Sequence, residues 1–211
     1  MNCTTRRSGL SCLPRRDRAL SCARVEVRET TLPDARLIIP AVHGDERGFF
    51  QETYRRAAFA EFGIAEDFVQ HNHSRSSRGV LRGLHLQVSP GISKLVRCAR
   101  GAIVDVIVDV RSGSPAYGSW ESFRLDDRDH DQLYVPAGFA HGFCVTSELA
   151  DVVYLQSGYY DPALERTIAF DDPQLGIEWP AVPVLTVSER DRAAPALADI
   201  AAELGFAYAA A

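Results

Sequence analysis

Residues 79–87, "GVLRGLHLQ", carry the pattern on which the fold turns. Val80, Leu81, Leu84 and Leu86 supply the apolar, partly β-branched material of a buried strand, and Gly83 interrupts it. His85 stands between two leucines, three residues after Arg82. A histidine in that setting is a core residue, a metal ligand or a catalytic base.

Around this stretch, short apolar or alternating segments recur from Val25 onward, separated by turn residues. They are "RLIIPAV" (36–42), "FVQHNHS" (68–74), "KLVRCARG" (94–101), "AIVDVIVDVR" (102–111), "SWESFRL" (119–125), "DQLYVPAGFAHGFCV" (131–145) and "LADVVYLQS" (149–157). In "HGDERGFFQETY" (43–54), Gly44, Asp45 and Gly48 mark turns. "RRAAFAEFGI" (55–64), closed by Gly63, and the tail "SERDRAAPALADIAAEL" (188–204) have helical composition. Many strands with almost no helix between them predict an all-β sandwich or barrel.

Two motifs narrow the fold. "PAGFAHGF" (136–143) has Pro136, Gly138 and His141 in a P-x-G-x-x-H arrangement, and in "GVLRGLH" a glycine precedes the histidine by six residues. Together they resemble the paired motifs of cupins, which implies a double-stranded β-helix, a jelly-roll barrel, with short peripheral helices. Metal-binding cupins continue H-x-H, then a glutamate, then a glycine seven residues later. Here Gln87 takes the second histidine's place and Lys94, seven residues before Gly101, takes the glutamate's. An ammonium repels a divalent cation and offers no lone pair while protonated, and an amide is a poor ligand beside imidazole. His71 and His73 of "HNH" lack a nearby acidic partner in sequence and read as strand residues. No metal is expected.

At 211 residues the chain suits one substantial domain. Its net charge of −5 argues against a nucleic-acid surface, because phosphate binding needs clustered cations. No apolar run approaches the roughly 20 residues of a membrane-spanning helix. Five cysteines without regular spacing give no disulfide framework and no zinc pattern, which fits a reducing cytoplasm. The first 22 residues, rich in Arg, Ser and Cys, read as a disordered extension or as the product of a start codon placed too far upstream. Residues 23–211 read as a single domain including the helical tail. The 23 Lys plus Arg include one lysine, Lys94, an ammonium kept where every other cation is a guanidinium.

With no metal, the barrel interior holds His85, Lys94, His141 and Tyr154, a set suited to proton transfer beside a carbonyl. A C–H bond next to a ketone becomes acidic when the enolate oxygen is stabilised, which a fixed cation such as Lys94 does. A neutral imidazole takes that proton near pH 7. The phenol of Tyr154 could return a proton to the opposite face, inverting the carbon. Asp105, Asp109 and Asp191 are candidates to orient the base, and spacing does not choose among them. Asp105 and Asp109, set in an apolar strand, must find donors of their own.

"GDERGFFQETY", "FVQHNHSRSSRGVLRGLHLQ", "KLVRCARG", "VDVRSGSPAYGSW", "LYVPAGFAHGF" and "LGIEWP" resemble, in order over residues 25–197, the dTDP-4-keto-6-deoxyglucose 3,5-epimerase family of deoxysugar pathways. The resemblance implies a metal-free, cofactor-free cupin that forms a homodimer by exchanging strands. It implies His85 as base, Tyr154 as proton donor, Lys94 near the substrate oxygens and Asp191 as the partner of His85. It also implies a nucleotide-sugar site of Arg47, Glu52, Gln70, Asn72, Arg82, His141, Tyr160 and Glu165, with Tyr160 stacking on thymine. Paired arginines suit a diphosphate because guanidinium forks match its oxygens. Strict alternation puts Arg82 on the face opposite His85, so an irregularity at Gly83 is predicted.

The chain departs from the family at Leu86, where an aromatic residue is frequent, and at Leu155, where lysine is common. Such variants occur in antibiotic-sugar pathways, where some enzymes invert only C3 or only C5. Three other readings compete with the epimerase. They are a cupin 3,4-ketoisomerase, a metal-dependent dioxygenase disfavoured by Gln87 and Lys94, and a non-catalytic sugar-nucleotide binder.

Overall fold

In "AIVDVIVDV" both faces of a strand must be buried, and the architecture answers that requirement. The computed structural model describes residues 24–209; the predicted 1–22 extension lies outside them. The first strands are β1 (Glu26–Glu29), β2 (Arg36–Ile39), β3 (Val42–Asp45), β4 (Gly48–Gln51), β5 (Gln70–Ser77), β6 (Val80–Gln87) and β7 (Lys94–Arg100). They continue with β8 (Ala102–Asp109), β9 (Trp120–Asp126), β10 (Gln132–Val135), β11 (Phe139–Val145), β12 (Leu149–Gln156), β13 (Glu165–Thr167) and β14 (Thr186–Val187). Helix α1 spans Arg56–Glu61, α2 Glu189–Arg192 and α3 Leu197–Leu204.

One six-stranded sheet has the order β1-β2-β10-β7-β12-β5, and the facing sheet runs β13-β6-β11-β8-β9, with β14 parallel to β6. The two are not closed into a barrel. They form the cupin-type jelly roll that the resemblance implied, as two facing sheets with β5 left as an edge. The predicted turn region 43–54 holds a further element, the β3–β4 hairpin, whose strands pair only with each other.

Between the sheets, Val96, Cys98 and Val152 meet Ile103, Ile107, Phe139 and Phe143. Register shows that Asp105 and Asp109 share this inner face, opposite Phe143 and Phe139. The outer face of β8, with Val106 and Val108, is covered by α3 through Leu197, Ile200 and Leu204. Those three positions recur at one-turn intervals, the apolar stripe of an amphipathic helix. Burying each contributes about 1.5–3 kcal/mol. The helical tail is split because Pro195 disfavours helical geometry at Ala194. Gly205, at φ +70°, caps α3 in the left-handed region.

Candidate active site

The inner face of β6 is organised by Gly83. His85 stands opposite His141 on β11 and Arg82 opposite Phe143, so two residues of β6 face one of β11. Both partners lie on the inner face, so Arg82 and His85 point the same way. This is the predicted irregularity. A side chain at Gly83 would sit 2.5 Å from the Gly142 Cα, and its φ of +134° belongs to glycine. The bulge takes the Gly83 N–H out of the ladder, and Asp191 Oδ2 accepts it at 3.3 Å.

Asp191 reaches this point through local structure. β14 runs beside the start of β6, and Ser188 caps α2 by accepting the Asp191 N–H at 3.1 Å. Asp191 Oδ1 then lies 2.7 Å from His85 Nε2. Of the three candidate aspartates, Asp191 is the partner of His85. Asp105 pairs with His141 Nε2 at 2.9 Å, and Asp109 accepts from Arg111 and Ser114. Burial raises the Asp191 carboxyl, but His85, the Gly83 N–H and Arg190 outweigh it and hold the group below its ordinary range. Burial lowers the His141 imidazole below its ordinary range, against the opposing pull of Asp105.

Across the cleft, the opposite sheet contributes Tyr154, packed against the inner core, and Lys94. Tyr154 is paired with Asn72, and Gln156 with both Gln70 and Lys94, so all five face inward. Burial raises the Tyr154 phenol, with Arg82 opposing and Glu165 adding to the rise. Lys94 Nζ donates to the His85 carbonyl at 3.3 Å. Burial pulls its ammonium from 10.5 to about 8, with Asp105 and Glu165 opposing.

The remaining predicted residues divide. Gln70 donates to Asn72, and Asn72 donates to Gln156 at 2.8 Å. Gln70 also accepts the Tyr160 N–H at 2.9 Å, and the Tyr160 hydroxyl donates to Glu165 at 2.9 Å. Arg82 donates to Ser76 Oγ at 3.1 Å. Arg47 and Glu52 are not brought to the cleft within this chain. Arg47 pairs with Asp45 and Glu52 with Arg55, and their segment packs through Phe49 on His130, beyond the Arg97 end of the sheet from Lys94. His73 lies outside the cleft beside Asp151, 3.4 Å away, and His71 shares its face.

Leu86 and Leu155, the two departures, both face away from the cleft, Leu86 against α3 and Leu155 against the cluster of Ile38, Phe59 and Tyr134. Neither reshapes the cleft directly. Sequence reasoning missed two residues. Gln87 clamps the 159–161 turn by accepting the Asp161 N–H at 2.6 Å. Arg190 binds Glu165 at 2.5 Å and stands 3.1 Å from His85 Nε2; its one signal was a cation adjoining the candidate Asp191.

The arrangement sets an imidazole bound to a carboxylate on one sheet and a phenol and an ammonium on the other, groups able to exchange protons with a molecule between them. The family profile described as dTDP-4-dehydrorhamnose 3,5-epimerase matches residues 29–199. A Pseudomonas aeruginosa protein of that description is 48% identical over 169 residues, covering 80% of this chain and 93% of the relative. The crystal structure of a Legionella pneumophila dTDP-6-deoxy-D-glucose-3,5-epimerase in complex with dTDP-4-keto-L-rhamnose superposes with a TM-score of 0.86 at 42% identity, covering 89% of this chain and all of that one. A 4-keto-6-deoxy sugar epimerase from the novobiocin cluster of Streptomyces spheroides gives 0.85 at 40% identity, covering 92% and 98%. The chain belongs to the dTDP-4-dehydrorhamnose 3,5-epimerase family.

Proposed function

We propose that the protein epimerises a dTDP-4-keto-6-deoxyhexose at C3, C5 or both, in deoxysugar biosynthesis. One observation carries the reading: His85, backed by Asp191, and Tyr154 project from facing sheets into a cleft that also holds Lys94. With the His85 Nε2–H donated to Asp191, Nδ1 has the lone pair that takes the proton from the carbon beside the C4 ketone. The C–H electron pair becomes the enolate, and its oxygen is stabilised by the Lys94 ammonium. Tyr154, held as a phenol by burial, gives its proton to the opposite face, and Arg82 stabilises the phenolate left behind. Solvent then restores both groups, so no oxidant or cofactor enters the balance.

In this reading Gln70, Asn72, Glu165 and His141 shape the sugar-nucleotide site, and Tyr160, 47% exposed, offers its ring to the thymine. Arg47 and Glu52 serve a second copy. The β3–β4 hairpin exposes Phe49 at 55% and Phe50 at 71%, which supports a homodimer in which the hairpin crosses to the partner. The free, buried Cys98 and Cys144 suit a reducing cytoplasm. Among the described residues no helix is long and apolar enough to cross a membrane.

The test is incubation with a dTDP-4-keto-6-deoxyhexose in deuterium oxide, followed carbon by carbon by NMR. Deuterium enters C3, C5 or both, with inversion at the labelled carbon. Labelling at neither carbon overturns the reading.

A further inference from the structure

The chain after α3 packs with the cluster on the outer face of β6 and β8, away from the cleft, and is anchored along its length. The Phe206 carbonyl accepts from the Ser112 N–H and from the Ser112 hydroxyl, each at 3.0 Å, and the Tyr208 N–H donates to the Ser112 carbonyl at 2.9 Å. Arg111 Cζ stands 4.9 Å from the centre of the Tyr208 ring. Just before this segment, the Leu204 carbonyl accepts the Ser89 N–H at 2.9 Å. Held in this way, the half-buried Phe206 ring presses on two other segments at once. A side chain at Gly91 would sit 2.7 Å from Phe206 Cζ and 3.3 Å from the Ala137 Cβ, and one at Gly138 would sit 3.4 Å from Phe206 Cδ1.

Those two segments flank the start of β7. The Ala137 N–H donates to Ser93 Oγ at 3.2 Å, and Val135 pairs with Lys94. On its other side the 88–93 loop is bonded through Ser93 to Ser157, and Ile92 packs on Gly158. The loop thus has one wall in the 157–158 turn and another in Phe206. Lys94, which follows it, is buried. The groups that face its ammonium are Asp105 on β8, His141 on β11, Glu165 on β13 and His85 on β6, whose carbonyl accepts from Nζ. Burial outweighs the two carboxylates and holds the ammonium at about 8. A cation kept from water acts on a nearby enolate oxygen far more strongly than a hydrated one. What excludes water from Lys94 therefore bears on the reaction.

We propose that Phe206 is a positioning residue for the reaction: its ring bridges the 88–93 loop and the Ala137–Gly138 turn over the start of β7, and so keeps Lys94 shielded from water without touching the substrate. The inference rests on the epimerase reading for what Lys94 does in turnover.

Lys94 is the single lysine of the chain, so ε-¹⁵N-lysine labelling of the full-length protein gives one side-chain signal. In the wild type that signal titrates near pH 8. In Phe206→Ala it titrates about one pH unit or more higher, because water reaches the ammonium, and the alkaline fall of kcat/KM moves up equally. At pH 7 kcat drops about tenfold while KM stays within about threefold of wild type. Phe206→Leu, which keeps much of the bulk, moves signal and profile the same way by less. A Lys94 signal that stays in place or moves down in the alanine variant overturns the proposal, and if that variant does not fold the leucine variant decides on the same reading. A loss of kcat with signal and profile unmoved is a merely structural effect and also overturns it. Absence of deuterium exchange in the wild type would instead reject the epimerase reading, whatever the lysine signal shows.

Discussion

His141 and His85 stand directly opposite one another on neighbouring strands, and each imidazole has its own buried carboxylate: Asp105 for His141, Asp191 for His85. The two pairs differ in access. His141 is 6% exposed and Asp105 fully buried, whereas the His85 side chain keeps 22% of its surface. His141→Leu strands the Asp105 carboxylate and lowers stability by about 2–4 kcal/mol, while the double variant His141→Leu/Asp105→Leu recovers part of the loss. Urea unfolding of the three proteins checks this. A single variant as stable as wild type contradicts it.

In the proposed mechanism Lys94 sets the alkaline limit. Its ammonium loses its proton near pH 8 in the free protein, so kcat/KM falls as pH rises through about 8. The sign for stability is opposite. The unfolded lysine keeps its proton up to about 10.5, so between these values the unfolded chain binds more protons and the fold gains stability with rising pH. Lys94→Met removes the kcat/KM limb and lowers the rate at neutral pH by about 10²- to 10³-fold. A wild-type kcat/KM profile flat from pH 7 to about 9.5 contradicts this role.

Gly83 is a point where fold and site coincide. Gly83→Ala brings a methyl group 2.5 Å from the Gly142 Cα at a φ of +134°. Strain and overpacking together cost about 2–4 kcal/mol, and the displaced β6 weakens the Asp191 contact. Thermal unfolding together with the exchange assay reads both effects. An alanine variant with wild-type stability removes the argument for the bulge.

The hairpin tests assembly. Phe50→Ser removes the most exposed ring of β4 and leaves the packing of Phe49 on His130 in place. The variant sediments as a monomer and loses epimerisation, because Arg47 and Glu52 no longer reach a second cleft. A dimeric, active variant contradicts the proposed exchange.

Strand material was legible in the sequence because both sheets bury continuous or alternating apolar runs. "KLVRCARG" and "AIVDVIVDVR" fall within a residue or two of β7 and β8. The Gly83 irregularity was legible because Arg82 and His85 could not otherwise share a face. The partner of His85 was not legible from spacing. Asp105, Asp109 and Asp191 are equally acidic in sequence, and register across β8, β11 and β6 assigns the first two elsewhere. β13 and β14 are two or three residues long, and their pairing with β6 depends on loops that periodicity does not describe. Arg190 escaped for the same reason, since its position beside Glu165 depends on β13, α2 and β6 meeting. Leu86 and Leu155 looked like changes to the site, and facing direction alone shows they are not.

The central claim is that the two sides of one sugar carbon are served by His85 and Tyr154 from opposite sheets. The measurement that bears on it most directly is the Tyr154→Phe variant in deuterium oxide, with label uptake and configuration read at the same carbon. The expected result is deuterium incorporation that continues while inversion falls by about 10²-fold or more, since removal by His85 survives and delivery to the far face does not. Inversion at the wild-type rate, or loss of incorporation together with inversion, would contradict the account.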